Sequence, residues 1–116
     1  MHFKLIVAIV DNQISNEVAN AARDAGATGV TLINTARGEG VTPTKTFLGL
    51  SMESQRDVLL LVVEEHMSRR ILERIAAAGQ FDAEPGRGIA LQIDVEDVVG
   101  VSHQMEKLSH IVEEQL

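Results

Sequence analysis

An α+β sandwich in which strand, helix and strand occur twice is the fold this sequence predicts, and three observations predict it. Two largely apolar runs without helical periodicity, Phe3 to Val10 and the continuous Val58 to Val63, read as buried strands. Each is followed by a stretch whose apolar residues recur at helical spacing and which stops at a glycine, Gly26 or Gly79. Each of those stretches leads into another extended segment, so the same unit is written twice.

Phe3 to Val10 is β-branched and aliphatic and ends at Asp11-Asn12. Ser15 is placed to cap a helix with Ile14, Val18, Ala21, Ala22 and Ala25 on one stripe, and Gly26 stops it. Gly29 to Thr35 is then a strand, with Val30 and Leu32 on one face and Thr31 and Ile33 on the other. A polar loop from Ala36 to Arg56 follows, holding Gly38, Gly40, Gly49 and Pro43. After the strand Val58 to Val63, Glu64 and Glu65 lead into a helix carrying Met67, Ile71, Leu72, Ile75 and Ala78, closed by Gly79. A second loop, 79–88, contains Pro85 and Gly86-Arg87-Gly88. Beyond it Ile89, Leu91, Ile93 and Val95 alternate with Ala90, Gln92 and Asp94, the period of a half-buried strand. Val101, Met105, Leu108 and Val112 share one stripe, so residues 102–116 read as a final amphipathic helix. The whole is the ferredoxin-like split β-α-β plan with an extra C-terminal helix, one domain over residues 1–116.

Composition bounds what such a domain can do. The 116 residues are 45% hydrophobic and 23% charged, as in an ordinary folded domain. A net charge of -7 argues against sequence-independent nucleic-acid binding, which draws its affinity from basic residues on phosphates. With three Phe and no Tyr or Trp, there is also little on which to stack bases. The absence of cysteine excludes disulfides and thiolate metal sites and fits a reducing cytoplasm. Leu5 to Val10 is too short for a signal-peptide core or a membrane span, so a soluble, cytoplasmic protein is expected.

Both long strands are apolar at nearly every position, although helices in this plan cover one face of the sheet only. The second face therefore needs cover; the final helix could supply some of it, but a large exposed apolar sheet more often marks a subunit interface, so a homo-oligomer is expected. Two arginines are bracketed by glycines, in Arg37-Gly38-Glu39-Gly40 and in Gly86-Arg87-Gly88. Glycine lets backbone amides approach a ligand, and arginine offers a planar fork of donors, so both are candidate anion contacts. The same residues are also ordinary turn glycines and solvated loop arginines, and Glu39 an ordinary solvated carboxylate.

The order of elements, with Thr31-Leu32-Ile33-Asn34-Thr35 feeding Arg37-Gly38-Glu39-Gly40, resembles the PII signal-transduction family and its PII-like relatives over about residues 3 to 101. Gly38-Glu39-Gly40 resembles the Gly-Phe-Gly at the base of the family's T-loop, and Gly86-Arg87-Gly88 the Gly-Asp-Gly of its B-loop. The resemblance implies a homotrimer with adenine nucleotides in clefts between subunits, and a T-loop, here 36–56, that changes shape with the ligand and touches a target such as a membrane transporter or enzyme. It places Thr31 beside the adenine, Arg37, Gly38, Glu39 and Gly40 at the T-loop base, and Gly86, Arg87 and Gly88 around the phosphates, within a B-loop of 79–88. It implies a regulator, not an enzyme, and no Ser/His/Asp spacing or paired carboxylate speaks for catalysis.

The departures from the family are specific. Ile89 stands where the B-loop continues with lysine, and Val98-Val99-Gly100-Val101-Ser102 where the family places two arginines. A ligand with fewer phosphates than ATP, such as ADP or AMP, or another anion is therefore expected. No tyrosine is present for uridylylation, and the short T-loop lacks the glutamine near its base through which standard members take 2-oxoglutarate with Mg-ATP. A metal-responsive or metal-tolerance trimer on the same fold is the alternative: Glu106, His110 and Glu113 share one helical face and offer nitrogen and oxygen ligands, although a solvated charged face has the same pattern.

Overall fold

The computed structural model describes residues 1–34, 46–47, 50–51 and 55–101. In chain order the elements are β1 (Phe3–Asp11), α1 (Ser15–Asp24), β2 (Thr31–Asn34), β3 (Thr46–Phe47), β4 (Leu50–Ser51), β5 (Arg56–Glu64), α2 (Glu65–Gly79) and β6 (Gly88–Val95). Four strands form one sheet in the order β2-β5-β1-β6, and every pairing in it is antiparallel. Each helix joins two strands with a third lying between them, which is the split β-α-β arrangement the repeat predicts. Within the long loop, β3 and β4 pair as a short ribbon that the sequence reading does not contain. The expected final helix, 102–116, lies outside the described residues.

One face of the sheet is sealed by the helices. The register aligns Ile6 with Leu61 and Ala8 with Leu59, and these side chains, with Val10 and Val63, lie against Val18 and Ala22 of α1 and Ile71 and Ile75 of α2. Ile6, Leu59, Ile71 and Ile75 have essentially no exposure. Burying such a side chain fully contributes about 1.5–3 kcal/mol, so this face is the chain's own core.

The alternate residues point the other way. The same register aligns Leu5 with Val62, Val7 with Leu60 and Ile9 with Val58, and β6 adds Ile89, Leu91 and Ile93 opposite Ile9, Val7 and Leu5. The apolar stripe of β6 thus faces away from the helices, and Ile93 is 50% exposed. β2 begins at Thr31, two residues after the predicted Gly29, and all four of its residues are exposed, because it is an edge strand with β5 as its one sheet neighbour. The second face of the sheet is apolar and incompletely covered by the described residues.

The helix ends differ in detail from the sequence reading. Ser15 is the first residue of α1 and not its cap; Ile14 holds the cap position, and the Ser15 hydroxyl donates to the Asn12 carbonyl at 3.1 Å. Gly79 is the last residue of α2, and the left-handed turn after it falls to Gln80, with φ of 53°. Its N-terminus is capped by Glu64, whose carboxylate accepts the His66 amide at 2.8 Å.

Candidate ligand-binding site

Thr31 lies at the rim of a hollow of about 470 Å³ on the uncovered sheet face. Its floor is Leu5 of β1 with Leu60 and Val62 of β5, and its rim is the turn Thr28-Gly29-Val30 leading into β2, with Val101 closing it. These walls exist because β1 and β5 alternate apolar residues to both faces. A mostly apolar hollow with a few hydroxyl and amide groups at its edge is of the size and kind that takes a flat, hydrogen-bonding ring.

The second predicted region, Gly86-Arg87-Gly88, is a tight connection between the end of α2 and the start of β6. Gly86 has φ of +80°, a backbone conformation that side-chain-bearing residues rarely adopt. Gly88 is required by packing instead: a Cβ there would come within 2.6 Å of the Phe81 ring and 2.8 Å of the Ile9 carbonyl. The Arg87 side chain turns back toward α2, donating from Nε to the Gly79 carbonyl at 3.1 Å and lying 3.5 Å from Glu84. It thereby satisfies a carbonyl that the helix end leaves without a partner. On the other side of the loop Arg56, 4% exposed, donates from Nη1 to the Gly86 carbonyl at 2.6 Å and reaches the Arg87 carbonyl at 3.5 Å. The Asp11 amide also donates to the Arg87 carbonyl, at 2.9 Å.

Thr31 and the glycine loop are not brought together within one chain. They sit on the two edge strands, β2 and β6, three strand spacings or about 14 Å apart across the sheet. Along the strands Thr31 is level with Leu60, Val7 and Leu91, three residues or about 10 Å from Gly88. Arg37, Gly38, Glu39 and Gly40 lie outside the described residues, as do Glu106, His110 and Glu113 of the metal alternative.

Sequence reasoning missed two groups that the fold assembles. Arg56 reads only as the end of a polar loop, and its sole signal is that it opens an apolar strand. Glu64, 2% exposed, accepts the His66 amide and lies 2.5 Å from His66 Nδ1, with Glu65 beside them. The three offer donor atoms within 4.8 Å of one another. Both Glu64 oxygens are engaged by His66, so the trio works as a helix cap. The hydrogen bond that Glu64 accepts from the His66 ring, followed by its negative charge, raises the His66 pKa above the ordinary histidine value.

A ferredoxin-like domain is the class that this fold defines. The family model of the nitrogen regulatory protein P-II matches residues 3–105, and the chain belongs to that family. Among solved structures it is similar to a protein of Thermus thermophilus assigned as a PII-like signaling protein. The two share 25% identity with a TM-score of 0.58, over 82% of this chain and 87% of that one. No protein in the curated set matches the sequence. Members of the family are regulators and not enzymes, which supports the same standing for this chain. No helix among the described residues is long and apolar enough to cross a membrane.

Proposed function

We propose that this PII-like regulator takes a small anionic ligand, an adenine nucleotide with few phosphates such as ADP or AMP, in clefts between the subunits of a homotrimer. The observation that carries the reading is the separation just described: an apolar hollow at Thr31 and an amide-rich loop at Gly86-Arg87-Gly88 stand at opposite edges of one uncovered apolar face. A ring and a phosphate of one ligand reach both kinds of surface only when a second copy contributes one of them. The acidic net charge elsewhere on the chain concentrates the attraction for an anion in the loop. Segment 36–56, the T-loop of the family, carries the ligand state to a target protein, a membrane transporter or an enzyme.

Thermal unfolding in the presence of ADP, AMP, ATP, adenosine and inorganic phosphate, with sedimentation of the same samples, tests this. ADP or AMP at 100 times its dissociation constant stabilises the native state by about 2.7 kcal/mol, and the sedimenting species is a trimer. A monomer indifferent to every nucleotide sinks the proposal.

A further inference from the structure

A peptide group in the trans form points its C=O and the N–H of the following residue in opposite directions. The Gly86 and Arg87 carbonyls are both drawn inward, the first by Arg56 and the second by Arg56 together with the Asp11 amide. The N–H groups of Arg87 and Gly88 are therefore turned to the opposite side. The ladder agrees for Gly88: since Asp11 donates to Arg87, Val10 and Gly88 form a non-hydrogen-bonded pair, and the Gly88 N–H faces away from β1. Two successive outward amides form a concave cradle for an anion, and the left-handed conformation at Gly86 bends the chain into it.

We propose that Arg56 is the positioning residue of this cradle: its buried guanidinium holds the Gly86 and Arg87 carbonyls inward and so presents the Arg87 and Gly88 amides to a phosphate, without touching the ligand itself. Three observations support the assignment. Arg56 is 4% exposed, so its charge is held inside the fold rather than offered to solvent. Its nearer bond, at 2.6 Å, goes to the residue with the left-handed backbone, where the loop would otherwise have most freedom. Both bonds leave Nη1, one bond beyond the point a lysine ammonium reaches on the same path, so the guanidinium meets two neighbouring carbonyls that an ammonium would fall short of. Arg87, in contrast, is turned to the Gly79 carbonyl and to Glu84, so the loop's own arginine acts on the end of α2.

The inference rests on the anion-binding reading, and its test separates the two. ADP and adenosine binding are measured by calorimetry for the wild type, Arg56→Met and Arg56→Lys, together with amide hydrogen exchange. Loss of the cradle weakens ADP roughly tenfold in Arg56→Met while adenosine is unaffected, since only the phosphates meet these amides. Arg56→Lys keeps the charge and loses nearly as much, while Asp11 exchange, which reports the bond to Arg87, rises roughly tenfold in Arg56→Met with Val7 and Leu61 unchanged. Full ADP affinity in Arg56→Lys overturns the proposal, because charge alone would then suffice; so does an equal loss of ADP and adenosine. If the wild type binds neither ligand, the nucleotide reading fails and exchange decides on Arg56: a local rise at Asp11 upholds its hold on the loop, and an unchanged or chain-wide rate overturns it.

Discussion

The two faces of the central sheet are built from the same strands and nearly the same residue types, yet they have different fates. On one, Ile6, Leu59 and Leu61 are closed over by α1 and α2; on the other, Leu5, Val7, Leu60 and Val62 remain partly exposed. Alternation sends neighbouring side chains of a strand to opposite sides, so a strand apolar throughout supplies two hydrophobic surfaces where the helices of this plan cover one. The difference separates what stabilises a single chain from the surface that the proposed trimer would use.

Substitutions on the two faces sharpen that contrast. The largest effect on folding belongs to the sealed face: Ile71→Ala, at a fully buried position, loses about 2–5 kcal/mol, read as a lower urea midpoint. On the open face, Leu60→Glu alters association more than folding. It is expected to convert the assembly to single chains of 12.6 kDa in sedimentation while the far-ultraviolet spectrum is kept. An unchanged assembly in that variant would break the comparison.

Smaller effects come from the sheet's margins. Glu64→Ala removes the cap of α2 and costs about 0.5–2 kcal/mol, seen as faster amide exchange in the first turn of the helix. The pH dependence is smaller still and has two signs. His66 has its pKa raised by Glu64, so its contribution is complete below the ordinary histidine value and is lost as pH rises through the higher folded value; His66→Gln removes that part of the thermal-stability profile. Asp94 has its pKa lowered by the hydrogen bond and charge of Lys4, so its contribution is present above the ordinary carboxylate value and is lost as pH falls through the lower folded one. Lys4→Met removes that acid-side loss and leaves the His66 part untouched.

Much of this was legible in the residues because it rests on local patterns. The apolar runs of β1 and β5 and the stripes of α1 and α2 have one reading each, and the doubled unit leads directly to the split β-α-β plan. Gly86 was legible as a turn glycine, and its left-handed backbone agrees. The direction of β6 was not: an alternating strand buries either face, and only pairing with Val7 and Ile9 turns Leu91 and Ile89 away from the helices. Arg87 read as a candidate anion contact, and its position after the end of α2 also gives its guanidinium a carbonyl to satisfy, which the residues alone did not suggest. Arg56 carried almost no signal, since its partners lie about 30 residues further along the chain.

By itself, then, the sequence determined the elements, their order and the presence of an apolar surface too large for two helices to cover, because periodicity and glycine stops act over a few neighbouring residues. Only the tertiary structure decided which face α1 and α2 leave uncovered, that Thr31 and the glycine loop stand on opposite edges, and that Arg56 orients the loop. Register and long-range hydrogen bonds join residues far apart in the chain, and no local pattern encodes which distant carbonyl a buried guanidinium will meet.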